Sequence, residues 1–429
     1  MGTTNRPGNP DIILLMLQEA EAVVIGSGAL GSSVAFHLAK AGLAPVALVD
    51  KHEIASQTSP RAAGLTSQIR QSELMTRLAT MAVEKIKNFT IETGEQLIYS
   101  QSGSLKIART PEHQRQLQRD VELGQKLGVD IDFVSPARAK LLMPFFEPVA
   151  ICAVTYVPGD LYMEPGQLPR GYAKATARLS GVLLPNTTVT GFAAEGGAVT
   201  KVITDRGEIR TSIVVDAAGA WARLVAGLAN LRLGAIPTRH QLIITQPIAG
   251  VEPHQPIARV IDCNVYIRPA EGGLMLGGYE SDPLQFDMAT LPADFGIDDL
   301  PLDVSVLHRL AGLVLEQFPI FHNIAVKEHR GGLPTMTADG EHIVGPLPEL
   351  RGFYVASGCC VGGLTIAPII GEMLAEWILS GKPPIDLSPV SPTRSMVQTA
   401  AEDALREDCR RQYACHYWPK QFSDSGPTQ

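Results

Sequence analysis

The stretch from Ala22 to Asp50 constrains the chain more than any other. Ala22–Ile25 is a short apolar strand, and Gly26-Ser27-Gly28-Ala29-Leu30-Gly31 follows at once. Residues 32–40 read as a helix closed by Gly42, and residues 45–49 as a second buried strand ending in Asp50. Strand, glycine turn, helix, strand and acid in this order form the first unit of a dinucleotide-binding fold. Its glycines allow a tight turn and bring backbone close to a pyrophosphate, which the free N–H groups of the helix start then face. Asp50, 19 residues after Gly31, is placed to accept hydrogen bonds from a ribose. The GxGxxG spacing alone is a weak signal; the surrounding strands, helix and acid make it specific.

Further along, helical patterns cover residues 73–91, 111–128, 167–179 and 304–318. Residues 97–100, 104–108, 181–184 and 187–191 read as strands, and 201–204 with 208–211 form a hairpin about Asp205-Arg206-Gly207. A buried strand at 213–215 leads into Asp216-Ala217-Ala218-Gly219-Ala220-Trp221, residues 240–279 are strand-rich, and 353–356 is a last core strand. An amphipathic helix falls near 399–417. Strands able to extend the first sheet thus recur near 182–190, 213–215 and 353–356, with blocks of different character between them.

This interleaving predicts an α/β chain (α+β in its two-domain layout). A Rossmann-like nucleotide-binding domain is assembled from residues 21–95, 145–230 and 330–385. A substrate domain on a mainly antiparallel sheet is inserted as residues 96–144 and 231–329. Residues 1–20 read as an N-terminal extension and 386–429 as a C-terminal tail with a helix. At about 150 residues per domain, 429 residues would suggest roughly three units, so a large discontinuous domain is affordable.

Composition removes several classes of function. A formal net charge of −8 disfavours nucleic acid and anionic membrane surfaces as partners. The richest apolar stretch, 366–379, carries Glu372 and Glu376, so no membrane span is expected. Residues 11–17 followed by Ala20-Glu21-Ala22 imitate a signal peptide, but the apolar core is short and an aspartate precedes it. The six cysteines show neither a CxxC pair nor a framework spacing, which predicts reduced thiols in a cytoplasmic protein and no metal site. Cys359-Cys360 reads as small buried residues of a glycine-rich loop.

Four elements occurring in order carry a resemblance: the GxGxxG unit, Ser59-Pro60-Arg61-Ala62-Ala63-Gly64-Leu65-Thr66, Asp216-Ala217-Ala218-Gly219, and Gly358-Cys359-Cys360-Val361-Gly362-Gly363-Leu364. Together they resemble the FAD-dependent amine oxidoreductases of the D-amino-acid-oxidase superfamily, over about residues 20–385. His240–Thr245 and the segment 266–280 point to the sarcosine and dimethylglycine dehydrogenases within it, with monomeric sarcosine oxidases also near. The resemblance implies hydride transfer from a secondary or tertiary amine, an N-alkyl amino acid, to flavin N5, with hydrolysis of the imine. A 2-hydroxy-acid dehydrogenase and a non-catalytic flavoprotein subunit are the alternatives.

For the cofactor, the resemblance implies contacts from Gly26, Gly28, Ala29, Leu30, Gly31, Asp50 and Lys51. Arg61, Ala62, Ala63, Gly64, Leu65 and Thr66 follow, with Val189 touching adenine through its backbone. Ala217, Gly219, Trp221 and Gly332 are further contacts. The loop Gly358, Val361, Gly362, Gly363, Leu364 and Thr365 precedes a helix whose positive end steadies the reduced flavin. Covalent attachment is not expected: Arg61 stands where the dehydrogenases carry the attaching histidine, and Gly332 where the oxidases carry a cysteine. Arg61 is then either a ligand of flavin phosphate or ring oxygen, or exposed.

For the substrate, Arg70 matches an arginine that binds carboxylate, a task its bidentate fork suits. The lysine that assists it in the oxidases is replaced by Thr365. His240 and Tyr266 join Arg70 as catalytic candidates, against the plainer readings of a structural strand histidine and cross-strand packing; alternation puts Tyr266 and Arg268 on one face. Met275 and Cys360 complete the substrate list. Met275 occupies the position of the lysine that promotes reaction with oxygen, which leaves the electron acceptor open among oxygen, a quinone and an electron-transfer protein.

Overall fold

Ala22–Ile25 and Val46–Val49 are buried at every position and pair in parallel. Near-continuous apolar runs of this kind belong in a sheet covered on both faces. The computed structural model describes residues 17–394 and 401–418. It sets these strands within a six-stranded sheet ordered Ile343–Pro346, Phe353–Ser357, Val214–Asp216, Ala22–Ile25, Val46–Val49, Val182–Leu184. Only the first pairing is antiparallel. The sheet draws its strands from three distant stretches, as the interleaved pattern predicts.

Helices Ala29–Lys40, Glu73–Lys87 and Gly363–Ser380 pack together over one face. By length and composition Gly363–Ser380 is apolar enough to cross a membrane. Here Ile366, Ile369, Ile370 and Leu374 are buried in the core, and Glu372 pairs with Lys85 at 3.0 Å. The helix expected over 73–91 ends at Lys87 and restarts as Phe89–Thr93; that expected over 304–318 ends at Gly312.

The second sheet has eight strands: Val326–Gly332, His240–Thr245, Gly273–Gly278, Val265–Ala270, Ile257–Val260, Ser104–Ala108, Ala153–Val157 and Asp132–Phe133. All pairings are antiparallel except that of Ile257–Val260 with Ser104–Ala108. Alternation gives it two faces. Ile243, Ile267 and Leu276 pack under helix Val304–Gly312, whereas Leu242, Ile244, Tyr266 and Met275 face the other way.

Two expected boundaries move. Ala153–Val157 lies in the stretch 145–230 assigned to the nucleotide unit, but it pairs with Ser104–Ala108 in the eight-stranded sheet. The strand expected at 187–191 does not extend the first sheet. It becomes Val189–Glu195, which joins Ala198–Thr204 and Gly207–Arg210 in a separate antiparallel sheet. Lys201 and Glu208 point to solvent there while Val202 and Ile209 are buried, the alternation of a sheet with one wet face. Most of the expected N-terminal extension and part of the tail lie outside the described residues. Within the tail, the helix is Glu402–Ala414.

Candidate active site

Two glycines make the first turn possible. Gly26 has φ +98°, in the left-handed region, and a Cβ there would fall 2.5 Å from the Ala217 carbonyl oxygen. A Cβ on Gly31 would lie 1.9 Å from the Gly26 carbonyl oxygen, so any other residue would push the helix off the strand. The helix N-cap is Gly28, which has no side chain to cover the helix start. Ala29 N–H donates to Ser59 Oγ at 3.0 Å. Asp50 accepts from Ser27 N–H at 2.7 Å, from Ser27 Oγ at 2.6 Å and from His52 N–H at 2.8 Å. Burial pushes its pKa up against these hydrogen bonds.

A chamber of about 470 Å³ runs from this turn to the inner face of the eight-stranded sheet, within the range of small-molecule sites. Gly26, Gly28, Ala29, Leu30, Asp50 and Lys51 line its first part, followed by Arg61, Ala62, Ala63, Gly64, Leu65 and Thr66. Val189, Ala217, Gly219, Trp221 and Gly332 also line it, as do Cys360, Val361, Gly362, Gly363, Leu364 and Thr365. At the far end stand Arg70, His240 and Tyr266.

Three expected residues are not on the wall. Gly31 is a packing glycine, as its contact with Gly26 shows. Gly358 at φ +61° is wedged against Thr337, whose Cγ2 would lie 2.7 Å from a Cβ. Met275 pairs across the sheet with Ile244 and Arg268 and is wholly buried in the cluster beneath the chamber. Arg61 does border the chamber, but its guanidinium is held by the carbonyl oxygens of Ser56 and Gln57 and by Asp298. It ties its own loop to the turn at Asp298.

The loop before helix Gly363–Ser380 carries strain. Cys360 and Val361 have φ of +42° and +62°, which side-chain-bearing residues rarely adopt. Cys360 N–H donates to the Thr335 carbonyl at 2.9 Å, Gly362 N–H to the Cys359 carbonyl at 2.7 Å, and these bonds fix the turn. Burial pushes the Cys360 thiol up to about 12. The result aims the helix start into the chamber.

Arg70 packs over that start: a Cβ on Gly362 would come 2.7 Å from Arg70 Nη2. Among the described residues, no hydrogen bond or ion pair is made by its guanidinium, although it is partly buried. Thr365 does not substitute for a cation, and its Oγ1 donates to the Leu65 carbonyl at 2.8 Å.

Tyr266 faces the chamber because its strand neighbour is Gly277, where a Cβ would lie 2.2 Å from the phenolic oxygen. Its hydroxyl meets His240 Nε2 at 2.9 Å, and Tyr413 Oη meets His240 Nδ1 at 2.8 Å. Burial lowers the His240 pKa to about 4 and raises that of Tyr266, so both stay neutral at ordinary pH.

The sequence reading did not single out several groups that share this end. Arg259, which lines the chamber, donates to the Thr66 carbonyl at 2.6 Å, and its Nη1 has no hydrogen-bond partner. Lys106 pairs with Asp120 at 2.7 Å. Tyr279, His416 and Tyr417 add aromatic faces. An arginine inside the apolar strand Ile257–Val260 and the dense aromatic run Tyr413 to Trp418 were the readable signals.

A glycine-turn cradle opening into a ring-lined chamber beside a second helix start is the layout of a two-domain dinucleotide oxidoreductase. The family model described as DAO, FAD dependent oxidoreductase, matches residues 21–377, and the chain belongs to that family. Mitochondrial sarcosine dehydrogenase of Mus musculus is 30% identical over 374 residues, covering 86% of this chain and 40% of that protein. Mitochondrial dimethylglycine dehydrogenase of Rattus norvegicus is 30% identical over 384 residues, covering 87% and 45%. The chain spans less than half the length of these relatives. The crystal structure of L-proline dehydrogenase from P. horikoshii superposes with a TM-score of 0.80 at 27% identity, covering 88% of this chain and 98% of that one.

The residues present fit FAD. The helix start at Gly28, which has no capping side chain of its own and only Ser59 Oγ on Ala29 N–H, faces the chamber where a pyrophosphate would lie. Asp50 offers carboxylate oxygens to a ribose, and the start at Gly362 presents a positive dipole end.

Proposed function

We propose that the chain is an FAD-dependent oxidoreductase that oxidises the C–N bond of a secondary or tertiary amine, an N-alkyl amino acid, with the flavin held non-covalently. The observation that carries this reading is Arg70, a partly buried cation in the chamber without a protein counter-ion among the described residues. A carboxylate is the natural partner for its planar fork. The similarity to a sarcosine dehydrogenase and a dimethylglycine dehydrogenase supports an N-methylated amino acid.

Bound FAD supplies the hydride acceptor. Arg70 holds the carboxylate beside the start of helix Gly363–Ser380. Tyr266 Oη, fixed by His240 Nε2, offers the hydrogen-bonding atom for the amine. The neutral rings of Tyr266, Tyr279 and His240 receive its alkyl groups and keep water out. Arg61 replaces the attaching histidine of the resembled dehydrogenases and is bound to Ser56, Gln57 and Asp298, which supports a dissociable flavin. The six free cysteines support a reducing, cytoplasmic setting.

The test is anaerobic mixing of the flavin-loaded protein with N-methyl, N-carboxymethyl and 2-hydroxy acids. Bleaching by N-alkyl amino acids is expected; bleaching by hydroxy acids alone, or by nothing, overturns the reading. Acid precipitation is expected to leave the yellow chromophore in the supernatant. Flavin that stays with the pellet is covalently attached.

A further inference from the structure

Helix Glu402–Ala414 leads residues 415–418 into the site. Leu405, Cys409 and Tyr413 are buried in the same cluster as Tyr266, Tyr279 and Met336, so this helix shares a core with the site strands. The turn at Asn264 is built to receive the segment. Asn264 sits at φ +57°, a conformation asparagine tolerates. Its Nδ2 donates to the Ala414 carbonyl at 2.9 Å, and its Oδ1 accepts from Tyr417 N–H at 2.9 Å.

Trp418 Nε1 donates to the Asp262 carbonyl at 3.2 Å on the same turn. The helical side is pinned as well: Gln71 Nε2 donates to the His416 carbonyl at 3.1 Å, and Gln116 Nε2 reaches the Tyr417 carbonyl at 2.5 Å. The segment therefore bridges the sheet and the helical side of the chamber.

Between these pins, two rings face the interior. The His416 ring stacks on Tyr279 at 4.0 Å with an interplanar angle of 11°, and Tyr417 meets Tyr279 edge-on at 5.4 Å and 80°. Both line the chamber that holds Arg70. Burial, helped by the Arg70 charge, holds His416 well below its usual pKa, and burial raises Tyr417 against the opposing charges of Arg259 and then Arg70. Gln71, the residue after Arg70, binds the His416 carbonyl, so Arg70 and these two rings lie at the same end of the chamber.

We propose that His416 and Tyr417 are specificity-determining residues, which close the ring-lined end of the chamber and limit the bulk a substrate anchored at Arg70 can carry on its nitrogen. This rests on the amine-oxidation reading for the chemistry, but not for the size limit, which is a property of binding. The geometric reason is that the backbone carrying both rings is pinned by hydrogen bonds and the rings pack on Tyr279 and on each other, so moving either ring to admit a larger group disrupts that packing.

The probes are N-methylglycine, N-butylglycine and N-benzylglycine, titrated anaerobically into the flavin-loaded protein. Spectral perturbation of the flavin gives Kd, and bleaching gives the rate of reduction. Wild type is expected to prefer the N-methyl compound. Tyr417→Ala and His416→Ala are expected to improve binding of N-benzylglycine relative to N-methylglycine at least tenfold, while Tyr417→Phe keeps the wild-type ratio. An unchanged ratio in flavin-loaded Ala variants overturns the proposal. If those variants do not retain flavin, Tyr417→Trp carries the test. It is expected to weaken N-butylglycine at least fivefold relative to N-methylglycine, and an unchanged ratio again overturns the proposal. Perturbation of wild-type flavin without bleaching overturns amine oxidation and leaves the size ratio to decide the wall. Perturbation by none of the three overturns both.

Discussion

His240 and Tyr413, 173 positions apart, are joined by a 2.8 Å hydrogen bond between imidazole Nδ1 and phenolic oxygen. With Tyr266 on Nε2, both ring nitrogens are engaged. A neutral imidazole has one donor and one acceptor, so one phenol donates to it and the other accepts. The ring's orientation is set from the tail as much as from the sheet.

That arrangement has a pH consequence. Burial lowers the folded pKa of His240 to about 4, against 6.5 for the free side chain. Between these values the unfolded chain binds the proton and the folded one does not, so stability from this group is complete above about pH 6.5 and declines as pH falls toward 4. His240→Asn removes the titration. The stability gap between wild type and variant should narrow by about 1.4 kcal/mol per pH unit from 6.5 downward. Denaturant melts at pH 7.5, 6 and 5 measure this. A gap constant with pH contradicts a buried neutral histidine.

Asp216 gives the opposite sign. It is wholly buried at the end of its strand, accepts from Ala218 N–H at 3.1 Å, and burial raises its pKa to about 8. The folded protein keeps this proton to higher pH than the unfolded one, so the contribution is full below about pH 4 and is lost as pH rises toward 8. Asp216→Asn keeps the acceptor and removes the titration. Its stability relative to wild type should rise between pH 5 and 7 by about 3 kcal/mol. Equal pH slopes in the two proteins would contradict the assignment.

Arg70→Ala removes the one chamber cation that has no protein partner among the described residues. Loss of a charge-assisted hydrogen bond should cost on the order of 2–4 kcal/mol of substrate binding. The expected kinetics are a KM raised at least thirtyfold with the flavin spectrum nearly intact. Near-wild-type values would show that the carboxylate binds elsewhere.

Met275 changes its meaning once it is seen beneath the wall. Met275→Lys places an ammonium in an apolar cluster, and the expected outcome is a large fall in Tm, because a charge buried without a partner is costly. Faster reoxidation by oxygen is not expected from it. Stopped-flow reoxidation of wild type and variant in air-saturated buffer checks this, and a variant that reoxidises faster than wild type would contradict it.

The nucleotide cradle was legible because its signals are local: glycines, helix and acid sit within 29 residues and need no distant partner. Ala153–Val157 was misassigned for the converse reason. Its alternation reads the same in either sheet, and only its pairing with Ser104–Ala108 decides. Met275 was placed by a correspondence of position, which carries no information on what lies above a side chain. Tyr413, His416 and Tyr417 escaped because an aromatic run at the end of a charged helix reads as surface packing until the chain returns to the site. Arg70 was legible as a residue type, but its lack of a counter-ion was not.

The discontinuous six-stranded sheet also governs how the chain matures on the ribosome. Val214–Asp216 lies between Ala22–Ile25 and Phe353–Ser357, so one edge of the half-made sheet waits for a strand encoded far downstream. At ribosomal rates, roughly 15–60 s separate the emergence of Val46–Val49 from that of Phe353–Ser357. During that interval an apolar strand edge is open to any neighbouring nascent chain. Slower elongation or scarce holding chaperones should therefore lower the yield of soluble flavoprotein more than they lower that of a contiguous nucleotide domain.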